Sequence, residues 1–186
     1  MSWITLGVII LLLLLWLVIV YNRLVALRQA TSQAWSDVSV QLKQRHDLVP
    51  NLVETVKGYA AHERGTFEAV VQARNAALQA RTPEAAGAAE GMLGAAIGRL
   101  LALAEAYPEL KANQNFLQLQ AELSDLENKI AAARRFFNNA VAEYNSAIQQ
   151  VPAVFFAGSL GFAPRGFFEV PEPERAAIEA PPLVKF

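Results

Sequence analysis

Both histidines of the chain lie in one short stretch, QRHDLVPNLVETVKGYAAHE, residues 44–63, which also carries three carboxylates. Imidazole and carboxylate groups are the side chains that most often act as general acids and bases and as zinc ligands. The stretch therefore raises the question of whether the chain is an enzyme or a metalloprotein.

The spacing of these residues argues against such chemistry. His46 and His62 are sixteen residues apart, and His62-Glu63 is followed by Arg-Gly-Thr instead of the second histidine of a zinc-binding helix. The sequence also has no glycine-rich phosphate loop and no Ser-His-Asp set. We interpret the stretch as part of a long helix, in which His46 forms at most a surface ion pair with Asp47 or Glu54. We predict no catalytic residue, no metal site and no cofactor; a hydrolase using His46 or His62 stays as an alternative.

The composition narrows the class of protein. Hydrophobic residues make up 54% of the 186 residues and charged residues 18%, with a net charge of −1. A nucleic-acid-binding protein needs a basic face that releases counterions from phosphates, so nucleic acid is not predicted as a partner. The chain has no cysteine, which removes disulfides and thiolate metal sites.

The apolar excess is concentrated at the N-terminus. Residues 3–21, WITLGVIILLLLLWLVIVY, carry no charge, and a helix of that length spans about 28 Å, close to the hydrocarbon core of a bilayer. A cleaved signal peptide would need a basic start and a small-residue cleavage site, which this segment lacks. We predict a single transmembrane anchor over residues 1–22, with the lipid bilayer as a partner.

The charges beside the anchor predict its orientation. No charged side chain precedes the anchor, whereas Arg23 and Arg28 follow it. The positive-inside rule therefore places the N-terminus outside and the body of the protein in the cytoplasm. A periplasmic body is the alternative.

Residues 23–151 are predicted to form an all-α, antiparallel up-and-down bundle of three or four long helices. The clearest helix has apolar residues at alternating spacings of three and four, a heptad seam typical of coiled-coil packing. The seam consists of Phe116, Leu119, Leu123, Leu126, Ile130, Ala133, Phe137, Ala140, Tyr144, Ala147 and Val151. Trp35, Leu42 and Leu52 are expected to face it.

The first stretch of the bundle, residues 23–81, contains Pro50. Apolar residues stay in phase across this proline and onward through Tyr59 to Val70 and Ala77, with Arg45, Glu63 and Thr66 also at seam positions. This favours one helix kinked at Pro50. The alternative is two helices, with Asp47 as the N-cap of the second.

A middle helix is predicted to begin at Thr82, with Thr82 as N-cap and Pro83 in the first turn, and to end before Pro108. Its apolar line is Ala89, Met92, Ala96, Leu100, Leu103 and Tyr107. Gly87, Gly91, Gly94 and Gly98 form a second stripe on it. Because each glycine weakens a helix, we expect this stripe to face another backbone at close range; the alternative is a helix that is weak by accident.

The last segment, residues 152–186, contains six of the nine prolines and six of the ten phenylalanines. Proline at this density prevents regular helix, and a disordered tail is usually poor in aromatic residues. We therefore predict an irregular tail that docks on its own bundle, on a neighbouring subunit or on the membrane. Its candidate contact residues are Phe155, Phe156, Phe162, Phe167 and Phe168.

Four segments together closely resemble the LemA family of bacterial membrane proteins. They are YNRLVALR, AWSDVSVQLKQRHDLVPNLVETVKGYAAHE, AEAYPELKANQNFLQLQAELSDLENKIAAARRFFNNAVAEYN and GFAPRGFFEV. The resemblance implies a short extracytoplasmic N-terminus, one membrane helix and a helical bundle, without an established enzymatic activity. The glycine stripe at 87–98 is the part that does not follow the family pattern.

Two functions follow as expectations. The first is a membrane-anchored scaffold or membrane organiser that forms a homo-oligomer through its bundle, anchor and tail, because many anchors in one patch make weak contacts sufficient. The second is an adaptor or sensor whose bundle binds a membrane-protein partner, such as a membrane protease, or a small ligand.

Overall fold

The computed structural model describes residues 3–170, and the regular elements in that range are all helical. The helices are α1 (Trp3–Lys57), α2 (Arg64–Gln79), α3 (Pro83–Ala104), α4 (Pro108–Lys111) and α5 (Gln114–Gln149), followed by one 3₁₀ turn (Ala153–Phe155). The predicted all-α fold, with an apolar N-terminal helix ahead of a helical bundle, is confirmed.

Helix α1 is one continuous helix of 55 residues, about 82 Å long at the usual rise per residue. Its first part, through residue 19, is exposed on every side, and from Leu24 onward one face is buried in the bundle. The apolar segment and the bundle therefore share a single rod, with no linker between them.

Pro50 lies inside α1 without ending it, so the two-helix alternative with Asp47 as N-cap is wrong. Proline has no N–H, and the carbonyl of His46, four residues earlier, loses its helical donor. Arg74 of α2 replaces that donor: its Nε donates to the His46 carbonyl oxygen at 2.7 Å. The neighbouring helix thus satisfies the backbone group that the proline leaves free.

The prediction of one kinked helix over residues 23–81 is also wrong, because α1 ends at Lys57 and the chain reverses at residues 58–63. Tyr59 and Glu63, which the continuous seam placed against the core, are both exposed in this turn. The apolar phase appeared unbroken because α2 begins a new buried face with Phe67, Val70 and Ala77.

Helix α3 begins as predicted. The Thr82 side-chain oxygen accepts the Ala85 N–H at 3.2 Å, and Pro83 is the first helical residue. The predicted apolar line is wrong at Met92, which is exposed, because Leu93 and Ile97 occupy the buried positions instead.

Helix α5 confirms most of the predicted seam: Phe116, Leu123, Leu126, Ile130, Phe137, Tyr144 and Ala147 are buried. Val151 is the exception, because α5 ends at Gln149 and Val151 is exposed. Of the residues expected to face the seam, Leu42 and Leu52 are buried and Trp35 is half-buried.

The core is divided along the rod into three clusters. The cluster farthest from the apolar segment contains α2, α3 and residues such as Val56 and Phe116. The middle cluster joins Val38 of α1 and Phe137 of α5 to Phe168 of the tail. The cluster nearest the apolar segment contains Leu24 and its neighbours. Helices α2 and α3 therefore cover the far half of the α1–α5 pair, and the tail covers the near half.

Candidate functional site

A buried ionic cluster, formed by Arg45, His46, Glu90 and Glu127, occupies the centre of the bundle. Glu90 of α3 is 4% exposed and receives both basic side chains from α1. Its Oε1 lies 2.6 Å from His46 Nε2, and its Oε2 lies 3.1 Å from Arg45 Nη1. A buried carboxylate needs such partners, because an unpaired charge in the interior is strongly unfavourable.

Glu127 of α5 is the fourth member of the ionic cluster. Its Oε1 lies 2.9 Å from Arg45 Nε, in an ion pair without the alignment of a hydrogen bond. Although 45% of the Glu127 side chain reaches solvent, that oxygen is turned inward. Burial raises the pKa of the Glu127 carboxyl, the Arg45 guanidinium lowers it, and the Glu90 carboxylate raises it further; the net pKa is raised.

The structure corrects the interpretation of His46. The sequence predicted a surface pair with Asp47 or Glu54, but His46 is buried and its carboxylate comes from Glu90, 44 residues away. Asp47 and Glu54 are exposed, and Glu54 pairs with Lys57 at 3.4 Å. The stretch is indeed a helix, as expected, but its buried face carries ionic groups.

The other titratable residues of the stretch do not join this cluster. His62 and Glu63 are both exposed in the turn before α2. Within residues 3–170, no group of three or more His, Asp or Glu side chains is arranged to hold a metal ion.

Two surface clefts show where a ligand has room, and neither is lined by His46 or Glu90. One, of about 350 Å³, lies where the tail meets the bundle, beside Trp35, Arg81 and Arg165. The other, of about 400 Å³, is more open and is lined by polar residues of α1 and α5. Neither of these clefts opens onto His46 or Glu90, whose side chains are packed between the helices.

The second polar arrangement holds the tail against α5. Asn138 accepts the Phe168 N–H at 2.9 Å and donates to its carbonyl at 3.1 Å. Asn145 accepts the Arg165 N–H at 2.9 Å and donates to its carbonyl at 2.8 Å. Asn138 and Asn145 are seven residues apart on a helix, and Arg165 and Phe168 are three residues apart in extended chain. Both separations are about 10 Å, so each asparagine reaches the backbone of one tail residue.

Side chains complete this docking. Tyr144 donates its hydroxyl to the Ala163 carbonyl at 3.0 Å, and Arg165 donates to the hydroxyl oxygens of Thr31 and Ser32 on α1. Farther along, Phe168 is buried against Trp35, with ring centroids 5.9 Å apart.

The glycine stripe of α3 meets the tail at one end. A Cβ on Gly87 would lie 2.1 Å from the backbone oxygen of Glu169, whereas a Cβ on Gly98 would meet nothing within 4 Å. A Cβ on Gly94 would lie 3.1 Å from Arg45 Nη2. The expected close backbone approach therefore occurs at Gly87, and the neighbour is the chain's own tail.

Sequence reasoning missed Glu90, Asn138 and Asn145. Glu90 is a lone acidic residue within AAGAAEGMLGAA, and a charge in such an apolar window indicates a buried pair. The asparagines gave no comparable signal, because amides are common on the solvated faces of helices.

These features define a class: a helical-bundle protein built on a long apolar N-terminal helix. That helix is long and apolar enough to cross a membrane. Helix α3 is also long and apolar enough to cross a membrane. Half of its most apolar stretch is buried inside the bundle, however, as is typical of a core helix. The LemA family model matches residues 34–186, and the chain belongs to the LemA family.

Curated relatives agree with this assignment. The chain is 27% identical to magnetosome protein MamQ of Magnetospirillum gryphiswaldense, over 76% of this chain and 62% of the relative. It is 25% identical to magnetosome protein MamQ 2 of Paramagnetospirillum magneticum, over 80% and 64%. It is 24% identical to protein LemA of Metamycoplasma hominis, over 87% and 74%. The chain thus spans somewhat less than two thirds of the length of the two magnetosome proteins.

Proposed function

We propose that the protein is a non-enzymatic, membrane-anchored scaffold that self-associates through its bundle and organises the membrane around it. The observation that carries the proposal is the continuity of α1 from the exposed apolar segment into the bundle core. A rod of this kind transmits any contact between bundles directly to the position of the anchors. The magnetosome relatives support a role at membranes.

The exposed face of α2 is the surface we assign to self-association. Val71 and Leu78 are seven residues apart, lie on one face and are exposed, as expected of the narrow seam of a helix pair. A contact this small is weak for free proteins, but anchors confined to one bilayer raise the effective concentration of the bundles.

The experiment is the mass of the full-length protein, extracted in mild detergent and in native nanodiscs, by native mass spectrometry. We expect an oligomer that dissociates in the double variant Val71→Glu, Leu78→Glu. The matched control is Val40→Glu, an equally exposed apolar position on α1, which should leave the mass unchanged. A strictly monomeric wild-type protein in both media would overturn the proposal.

The orientation we propose has the N-terminus outside and the bundle in the cytoplasm of a bacterial cell, with α1 in the inner membrane. Arg23 and Arg28 after the apolar segment support it. The chain has no cysteine, so Ser36→Cys gives a single reporter on an exposed position of α1. Labelling of intact spheroplasts by an impermeant maleimide would contradict the cytoplasmic placement.

The cleft beside the tail favours a second candidate, an adaptor or sensor that binds a small ligand or a membrane-protein partner. Its volume of about 350 Å³ is within the usual range for small-molecule sites. Arg81 and Arg165 would give such a site a preference for anions. A one-to-one complex in the native mass spectrum, with no self-association, would support this function over the scaffold.

A further inference from the structure

Four apolar side chains reach solvent from the loop that follows α5, residues 151–161, called here the apolar loop. They are Val151, Val154, Phe155 and Leu160, and Phe155 is 80% exposed. Soluble surfaces rarely concentrate apolar side chains in so short a segment unless another surface covers them.

The apolar loop lies at the foot of the bundle, level with the end of the uncharged segment of α1. Ala153 and Ala157 of the loop share a buried cluster with Leu24, and Val20 packs at its edge. Just after the loop, the ring of Phe162 contacts the ring of Tyr21, with centroids 5.6 Å apart. The exposed apolar surface of the loop is thus continuous with that of the segment able to cross a membrane.

The charges around the loop fit the surface of a bilayer. No charged residue occurs from Tyr144 to Pro164, and the interfacial region accepts apolar and aromatic side chains far more readily than charges. Arg23 is exposed and precedes Leu24, which packs on the loop, and the Arg28 guanidinium lies 4.9 Å from the centroid of the Phe162 ring. Both arginines stand at the level where lipid phosphates would lie.

We propose that the apolar loop is a second membrane contact, which inserts Phe155 and its neighbours into the lipid interface beside α1. The inference rests on the membrane anchor of the proposed function. A helix alone is free to rotate about its axis in the bilayer. A second contact beside it fixes which face of the bundle turns toward the membrane surface and which faces remain open to partners.

The experiment uses full-length single-cysteine variants, each carrying an NBD fluorophore, in phosphatidylcholine and phosphatidylglycerol vesicles. The variants are Phe155→Cys, Phe136→Cys and Leu12→Cys. Phe136 is the matched control, because it is a 62% exposed aromatic residue of α5. Its neighbour Phe137 packs on Trp35, about 21 Å farther along α1 than Tyr21.

We expect a lipid-attached nitroxide to quench the label at 155 several-fold more than the label at 136. Iodide, present on both sides of the vesicle, should show the reverse order. If the labels at 155 and 136 are quenched alike while the label at 12 is quenched by lipid, the inference is wrong and the anchor stands. If the label at 12 is not quenched by lipid, the anchor fails and the inference with it.

A further outcome separates lipid from a second copy of the chain. A label at 155 that is shielded from both quenchers, with self-quenching between labels, would show that another protomer covers the loop and would overturn the inference. A second test introduces a charge into the loop, which should withdraw it from the lipid interface. Phe155→Asp should therefore raise iodide quenching of a label on Leu160→Cys several-fold. Phe136→Asp should leave that label unchanged.

Discussion

The buried carboxylate of Glu90 is held by two basic side chains from adjacent positions of α1. Arg45 and His46 approach it from the same turn, and Arg45 also pairs with Glu127 of α5. The ionic cluster therefore ties α1, α3 and α5 together at one level. The cost of burying these charges offsets much of their attraction, so the ionic cluster adds less stability than its short contacts alone would give.

Glu90→Leu is expected to lower the free energy of unfolding by about 3–5 kcal/mol, because it leaves His46 buried without its carboxylate and Arg45 with Glu127 alone. Chemical denaturation of the full-length protein in detergent measures this loss. Glu54→Leu removes a carboxylate from an exposed ion pair and is expected to change the free energy by less than about 1 kcal/mol. Equal losses in the two variants would contradict the role of the ionic cluster.

Glu127 makes the stability of the bundle depend on pH, with a contribution that falls as the pH rises. Its native pKa is raised above the ordinary 4.5, so the folded protein binds the proton more tightly than the unfolded chain. The resulting stabilisation is fully present below the unfolded pKa and is lost as the pH rises through the raised native pKa. Thermal melts of the wild type and Glu127→Gln should therefore show the wild-type advantage falling with pH across that window; an advantage that grows would contradict it.

The sequence alone could not place this cluster. It identified Arg45 as a seam residue and His46 as a candidate, but the partner of His46 comes from a helix that only the fold brings near. Local patterns report which face of a helix is buried. They do not report which helices meet across that face, so the pairing of His46 with Glu90 required the tertiary structure.

At the scale of the elements, α2 supplies the hydrogen bond that α1 lacks at Pro50, from Arg74 Nε to the His46 carbonyl. Arg74→Met should cost about 1–3 kcal/mol, because the buried carbonyl of His46 loses its donor. In a Pro50→Ala background, the N–H of residue 50 can supply that hydrogen bond within the helix. The cost of Arg74→Met should then fall by about 1 kcal/mol or more, which a double-mutant cycle of unfolding free energies measures. Additive costs would show that Arg74 acts independently of the proline.

The glycines of α3 provide a matched pair. Gly87→Ala should displace the tail, because its Cβ would overlap the Glu169 backbone, whereas Gly98→Ala enters open space. Helix propensity then predicts that Gly98→Ala stabilises the protein by up to about 1 kcal/mol. Trypsin cleavage after Arg165, followed by mass spectrometry, reports displacement of the tail. Faster cleavage is expected in Gly87→Ala alone; equal rates in both variants would contradict the tail contact.

For the whole molecule, the periodicity and composition of the sequence predicted the individual helices well. They predicted less well where the chain turns between helices and how the tail packs on them. The seam from Phe116 to Tyr144 and the start of α3 at Thr82 are local patterns, and both are confirmed. The turn at residues 58–63 was missed, because the apolar phase of α2 happens to continue that of α1. The docking of the tail depends on Asn138 and Asn145, whose role no local pattern reveals.

The sequence leaves open whether the tail docks on its own bundle, on a neighbouring subunit or on the membrane. The structure places Phe162 and Phe168 in the core, where they complete the half of the α1–α5 pair that α2 and α3 leave uncovered. Truncation after Val151 would therefore unfold or loosen the bundle itself. The oligomeric state of a truncated protein cannot by itself report on the role of the tail in assembly.

Single phenylalanine substitutions separate the two roles. Phe168→Ala should lower the free energy of unfolding by about 3–5 kcal/mol, since it opens a cavity between α1 and α5. Phe155→Ala, on a side chain that is 80% exposed, should change it by less than about 0.5 kcal/mol in detergent. Denaturation gives these values, and native mass spectrometry of the same samples gives the oligomeric state. If Phe155→Ala unfolds the bundle as readily as Phe168→Ala, the apolar loop is part of the core and is not free to meet a membrane.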